Sequence, residues 1–185
     1  MPMYKQLEKA KKVLLRGGIG VLPTDTIYGL VGSALNKKTV SQIYKLRRRN
    51  PRKPMIVLVD SVSDLKEFGV KIGAKERKIL NRIWPNKVSV VLPCPSRKFA
   101  YLHRGTKTLA FRLPKPYWLR KLLSKTGPLV APSANWEDRP PAKTIKEAKK
   151  YFGNKIDFYL DGGRIILRPS KLVKIECGKE IILRK

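Results

Sequence analysis

The sequence predicts an α/β (α+β) fold, one domain over residues 1–185 built on a twisted mixed sheet with helices around it. Three observations carry that expectation. Short apolar runs alternate with amphipathic stretches at helical spacing through most of the chain. Strand-like runs then cluster at its end. Finally, 185 residues with 42% hydrophobic and 8% aromatic content are enough for one buried core and too apolar for disorder.

Residues 4–16 put Leu7, Ala10, the stem of Lys11, Leu14 and Leu15 on one helical face, and Gly17-Gly18 offers a C-terminal cap with access to φ > 0. Residues 19–22 form a short apolar strand stopped by Pro23. Over 39–48, Val40, Ile43, Tyr44 and Arg47 recur at helical spacing. Pro54 opens the run 55–59, a buried strand by composition, and Ser61 and Ser63 offer caps for a helix through Phe68. A helix over 74–84 stops at Pro85. Residues 88–92, 109–113 and 129–131 read as strands, with a helix over 118–124 between the last two. Residues 144–152 are helical, and 156–160 lead into the turn Asp161-Gly162-Gly163-Arg164. Three strands follow, at 165–167, 172–175 and 181–183.

The unusual quantity is charge. Forty-two Lys and Arg against 13 Asp and Glu leave +29, an excess easiest to rationalise with polyanionic partners: nucleotides, RNA or anionic membrane surface. Cys94 and Cys177 stand far apart, which excludes a zinc ribbon, a Cys-x-x-Cys redox pair and a disulfide framework. With His103 the single histidine, Ser–His or Cys–His catalysis must use it or be absent. The amino terminus has no apolar signal core, and no apolar run approaches the roughly 20 residues of a membrane span. A reducing cytoplasmic setting without membrane attachment is expected.

The familiar phosphate-binding motifs fail. Gly18-Ile19-Gly20-Val21-Leu22-Pro23 lacks the third glycine of a dinucleotide fingerprint and precedes its strand, and no Gly-x-x-x-x-Gly-Lys-Ser/Thr occurs. Three other segments carry chemistry-bearing residues. Pro23-Thr24-Asp25-Thr26-Ile27-Tyr28-Gly29-Leu30 is a hydroxyl-rich loop after a strand, readable as a ligand loop or as a turn satisfying its own backbone. Residues 45–54 hold six cations in ten positions at a helix end. Some of them complement the helix dipole, yet Arg47, Arg49 and Lys53 make an anion site, because guanidinium forks bind phosphate bidentately. Pro128-Leu129-Val130-Ala131-Pro132-Ser133-Ala134-Asn135 runs from a strand into small polar residues.

In this order the three segments resemble the YrdC-like family, the threonylcarbamoyl-AMP synthases of tRNA modification. That family carries a Pro-Thr-(Glu/Asp)-(Thr/Ala)-x-(Tyr/Phe)-Gly-(Leu/Val) loop, a Lys-x-Arg pair and Ser-x-Asn. Ile83-Trp84-Pro85 resembles its Trp-Pro-Gly corner, and Thr108-Leu109-Ala110-Phe111-Arg112 its Thr-x-Ala-x-Arg strand. Gly162-Gly163 before Pro169-Ser170, and the closing Leu183-Arg184, extend the similarity from Gly18 to Arg184. The chain departs from the pattern in places. Alignment through Pro54 puts Arg47 and Arg49 at the Lys-x-Arg positions; Lys45 with Arg47 would need a two-residue shift. Asn86 replaces a glycine, Ser89 a threonine and Lys171 another threonine, and Leu58 stands where the longer, two-domain branch has histidine.

The resemblance implies a basic concave cavity in which L-threonine, bicarbonate and ATP become threonylcarbamoyl-AMP and pyrophosphate, in a short form without the longer branch's extra domain. A partner protein would then transfer the threonylcarbamoyl group to tRNA. By resemblance, Arg47, Arg49, Ser133 and Asn135 hold the triphosphate, with Mg²⁺ on the phosphates or on Asn135. Lys53, Thr108 and Arg184 complete the ATP site, while Thr26, Arg112, the backbone at Ala131 and Ser170 face threonine. Nucleotidyl transfer needs positioning and charge neutralisation more than a nucleophilic side chain, which suits this composition. On this reading Arg47→Lys keeps measurable activity, Arg47→Ala loses more than tenfold, and Arg48 points away. Two alternatives stand beside it: a non-catalytic RNA-binding module, and a relative handling another carbamoyl-adenylate, as in hydrogenase maturation. The charge itself predicts salt-sensitive tRNA binding outside the cavity.

Overall fold

A computed structural model describes residues 3–176 and 178–185; Met1, Pro2 and Cys177, read above for the amino terminus and the cysteines, lie outside them. The elements in chain order are α1 (Met3–Leu15), β1 (Gly20–Pro23), β2 (Tyr28–Ser33), α2 (Lys37–Leu46), β3 (Ile56–Leu58), α3 (Ala74–Ile83), β4 (Val88–Pro93), α4 (Ala100–His103), β5 (Thr108–Arg112), α5 (Tyr117–Thr126), β6 (Leu129–Val130), α6 (Ile145–Phe152), β7 (Phe158–Tyr159), β8 (Lys171–Glu176) and β9 (Lys179–Arg184). Among the described residues the strands form one mixed sheet in the order β7-β1-β2-β6-β3-β5-β4-β8-β9. The expected α/β class with a mixed sheet is what the chain adopts.

Local chemistry sets the helix ends. Gly17, at φ +82°, closes α1: its N–H bonds Leu14 O, and the N–H of Gly18 bonds Val13 O. Ala10 and Leu14 are buried as expected, but Leu15 is 58% exposed, because it lies a further 100° around the helix from the stripe's centre. The second helix begins two residues before the periodicity suggested, since the Asn36 side chain caps it by accepting from the N–H groups of Lys38 and Thr39. Ser61 and Asp64 form a capping box, though the segment Val62–Phe68 is a 3₁₀ helix.

Parity along the strands explains two cores. Val21, Leu30, Val57 and Val130 face one core with Val40, Ile43, Leu80, Ala148 and Phe152 of the helices. Their neighbours Leu22, Val31, Leu58 and Leu129 face the other, covered by α1 and α5 through Ala10, Leu14, Leu119 and Leu123. The β3–β5 register pairs Ile56 with Ala110 and Leu58 with Arg112, so Arg112 emerges on the face carrying Leu58.

Two expectations are corrected and one element was not foreseen. The hydroxyl-rich segment is not wholly a loop: Tyr28 opens β2, a strand hidden from composition by Gly29 and Gly32. Residues 165–167 pair with no strand; the N–H of Ile165 bonds Lys143 O while Ile166 and Leu167 stay exposed. The four-residue α4 is too short for periodicity to announce. At the far edge, β9 pairs among the described residues with β8 alone and leaves Ile181, Ile182 and Leu183 exposed.

Gly32 lets α2 lie close on β2. A Cβ there would sit 2.4 Å from Thr39 Cγ2, and Thr39 cannot yield freely because its Oγ1 donates to Gly17 O at 2.6 Å. Gly32→Ala is expected to destabilise by about 1–3 kcal/mol, the usual cost of overpacking, and a melting curve measures it.

Candidate active site

The β1–β2 hairpin turns through residues 24–27. Thr24 Oγ1 donates to Ile27 O (2.7 Å) and accepts from the N–H of Thr26 (3.2 Å) and of Ile27 (3.3 Å), so one hydroxyl fixes the turn. That turn carries Asp25 and Thr26 to Arg112. Thr26 Oγ1 accepts from Arg112 Nη1 at 3.2 Å. Asp25 Oδ1 lies 3.3 Å from Arg112 Nη2, and Asp25 Oδ2 accepts from the N–H of Lys115 at 3.3 Å.

This ion pair is fully buried yet poorly made. Both side chains are at most 5% exposed, but 3.3 Å is long for a charge-assisted contact, and Asp25 Oδ1 accepts no formal hydrogen bond. Arg112 Nε is buried and has no hydrogen-bond partner among the described residues. Burial drives the Arg112 pKa down against the counter-charge of Asp25, and the charge of Arg184 lowers it further. A buried guanidinium with an unmet donor is poised for an incoming carboxylate or phosphate.

From the other side, β6 leads into residues 131–135. The N–H of Ala131 bonds Ile56 O, and Ser133 bridges Gly29. Ser170 closes the third side: its Oγ meets Ser89 Oγ at 2.8 Å, while its carbonyl accepts from Arg184 Nε (3.2 Å) and Nη2 (2.9 Å). Together Thr26, Arg112, Ala131, Ser133, Ser170 and Arg184 line one cleft of about 120 Å³. Sequence reasoning left Thr24, Ile27, Gly29, Ile56, Pro141 and Pro169 of the lining unassigned, along with the Arg112 partner Asp25. Gly29 and Pro169 sit inside the motifs quoted above, and the alternation of β3 with β5 would have given Ile56. Pro141 carried no signal.

The remaining site candidates stand outside the lining. Arg47 is 3% exposed and reaches the back of the 131–135 loop: Nε donates to Ser133 O (2.7 Å), and Nη2 to Ser133 Oγ (3.0 Å) and Asn135 Oδ1 (3.1 Å). Burial, and then the charge of Arg49, pull its pKa down to about 10 against the pull of Glu137, so it stays charged at neutral pH. Arg47 Nη1 is buried without a partner. Arg49 donates to Pro54 O at 2.7 Å, exposed Lys53 pairs with Glu137 at 2.6 Å, and Thr108 shares a hydroxyl contact with Thr106 at 3.3 Å. Glu137 ties the segment together, accepting from the N–H of Asn50 and giving its own N–H to Arg47 O. Burial works against its charge, but the Lys53 hydrogen bond and the Asn50 N–H outweigh that and hold its carboxyl below the ordinary range.

This arrangement motivates a different expectation for Arg47→Lys. A lysine ammonium cannot reproduce a fork that serves a carbonyl, a hydroxyl and an amide at once, so lysine should behave nearly as badly as alanine. Arg48 does point away, at φ +51° with its guanidinium 3.9 Å above the Trp136 ring. Arg48→Ala forfeits that exposed stacking contact alone, about 0.5–1 kcal/mol, and a melting curve should register no more.

Cys94 and His103, the residues a Cys–His mechanism would call on, are engaged in packing. Cys94 is buried, its thiol pushed up to about 11 by desolvation, with Sγ on Phe68 O at 3.3 Å. His103 Nδ1 accepts from the N–H groups of Gly105 and Lys107, and Nε2 faces Ser96 O, a packing role. The residues do not fit a protein-held Mg²⁺. Among the described residues no three His, Cys, Asp or Glu side chains gather, and the Asn135 oxygen already accepts from a guanidinium that would repel a cation. No helix among the described residues is long and apolar enough to cross a membrane.

A family model described as telomere recombination, Sua5/YciO/YrdC, matches residues 12–185. The threonylcarbamoyl-AMP synthase of Marinobacter nauticus is 30% identical over 185 residues, covering 97% of this chain and 96% of that protein. The Bacillus subtilis protein of the same name is 29% identical over 178 residues, covering 95% of this chain and 51% of that protein. The crystal structure of P. abyssi Sua5 complexed with L-threonine shares the fold with a TM-score of 0.85 at 26% identity, covering 100% of this chain and 54% of that one. The chain thus spans about half the length of two of these relatives and nearly all of the third.

Proposed function

The chain belongs to the Sua5/YciO/YrdC family, and from that premise we propose that it is an enzyme, a nucleotidyltransferase that forms threonylcarbamoyl-AMP and pyrophosphate from L-threonine, bicarbonate and ATP. The observation that carries the reading is the convergence of Arg112, Thr26, Ser133, Ser170 and Arg184 on one cleft. In this reading the threonine carboxylate takes the unmet donor of Arg112, and the Thr26 and Ser170 hydroxyls and the backbone at Ala131 orient its amine and hydroxyl. The amine condenses with bicarbonate to a carbamate, releasing water. A carbamate oxygen then attacks the α-phosphorus, and pyrophosphate leaves with the electrons of the broken P–O bond.

Ser133 and Arg184 face the nucleotide, with Arg47 and Asn135 as positioning residues that hold the 131–135 loop from behind. A cleft of about 120 Å³ is small beside the roughly 300–1,000 Å³ of ordinary ligand sites, so the reading sends much of ATP over the rim, where Arg49, Lys53 and Thr108 remain available. It treats residues 1–185 as one domain, on the support of one continuous sheet, working in the cytoplasm. The mixed anhydride product is consumed by a partner transferase acting on tRNA.

The test incubates the protein with ATP, Mg²⁺, bicarbonate and each amino acid in turn and follows pyrophosphate. Threonine-dependent release supports the proposal. Release indifferent to the amino acid, or none, overturns it and leaves the RNA-binding alternative suggested by the +29 charge.

A further inference from the structure

The face opposite the larger core carries a feature the cleft does not use. Helices α1 and α5 pack side by side, and between them runs a groove of about 350 Å³. Tyr4 and Tyr117 stand on it 63% and 71% exposed, with Trp118 and the lysines Lys11, Lys121 and Lys125 alongside. The two helices hold seven cations and one acid; that acid, Glu8, is already paired with Lys11 at 2.5 Å. A second shallow groove on the far side of α1 continues the basic strip through Lys5, Lys9, Lys12 and Arg16. Leu15, exposed at the carboxyl end of α1, lines neither groove, and the other leucines of the pair are turned inward or into the groove, so the exposed rings are tyrosines with polar tips.

We propose that this α1–α5 groove binds a single-stranded RNA segment. Exposed rings interleaved with cations, over a concave strip whose one acid offsets one lysine, match the way bases stack while phosphates find counter-charge. A membrane-surface helix would instead present exposed Leu, Phe or Trp above its lysines, whereas Leu7 and Leu122 here are engaged in the helix pair. The groove also abuts the cleft's frame: Lys115, whose N–H is held by Asp25, lies two residues before Tyr117. The inference rests on surface chemistry and is independent of the adenylate reading.

Fluorescence anisotropy with a labelled oligouridylate tests it, beside a duplex RNA of equal length and vesicles containing phosphatidylglycerol. The logarithm of single-strand affinity should fall linearly with the logarithm of salt concentration. Tyr117→Ala and Lys121→Glu should each weaken binding at least fivefold, while Lys78→Glu, on α3 across the sheet, should change it less than twofold. Both Tyr117 and Lys121 are exposed, so the variants should keep the wild-type melting temperature, and Tyr117→Ala should leave free-solution pyrophosphate release unchanged. Equal losses for all charge variants would show diffuse attraction without a site. Duplex bound as tightly as single strand would remove the stacking, and vesicle binding without RNA binding would reassign the face. Each of these results overturns the proposal, whether or not the adenylate assay succeeds.

Discussion

Arg112→Ala is expected to lower threonine-dependent pyrophosphate release by at least a hundredfold in kcat/KM, about 2.7 kcal/mol of transition-state stabilisation, and to destabilise the fold as well. The substitution strands Asp25, whose side chain is 3% exposed, without its cation. Breaking a buried pair from one side costs about 3–5 kcal/mol. Two effects are therefore mixed in the single variant, and a double variant separates them. Pairing Arg112→Met with Asp25→Asn removes both charges and should recover most of the melting temperature while activity stays lost. Recovery of activity with stability would show that Arg112 only props the turn, and would remove it from substrate recognition.

The second large effect belongs to Arg47. Arg47→Ala leaves Ser133 O and Asn135 Oδ1 without their donor and opens a void behind the 131–135 loop. Lost buried hydrogen bonds and the cavity together cost roughly 2–4 kcal/mol, which in a chain of this size lowers the melting temperature by roughly 5–15 °C. Because the fork meets the loop and not the cleft, the loss should appear in kcat and in KM for both substrates together. Arg47→Lys should track alanine. If lysine retained near-normal activity, the guanidinium would be serving as a simple charge and the geometry argued here would fail.

These two arginines also mark where sequence reading succeeds and stops. The strand over 109–113 was legible from composition, and in the structure its parity sets Leu109 and Phe111 in the core and Arg112 on the opposite face, because parity along a strand is local. The motif order brought Thr26, Ser133, Ser170 and Arg184 into consideration, and the sheet order brings them together. What the sequence could not disclose was depth. Arg47 lies in a run of cations that composition reads as surface, yet Glu137, ninety residues away in the chain, folds that run against the 131–135 loop and buries one of its members. Asp25 was equally hidden: an acid within a hydroxyl-rich turn looks like turn chemistry until a guanidinium from β5 is set against it. The strand β2 escaped because Gly29 and Gly32, needed for close approach, dilute the pattern by which strands are recognised.

The open edge at β9 has a bearing on colloidal behaviour. Ile181, Ile182 and Leu183 line a strand whose outer hydrogen-bonding groups meet no further strand among the described residues, the arrangement by which sheets add to one another. Mutual repulsion between molecules each carrying +29 opposes such pairing. Repulsion of that kind reaches about 10 Å at 0.1 M salt and about 3 Å at 1 M, so concentrated salt strips the guard from the edge while leaving the strand unchanged. A bound polyanion does the same by neutralisation. Saturating this protein with nucleic acid thus brings it nearer to condensation, and a modest excess of nucleic acid, by reversing the sign of the complex, takes it away again.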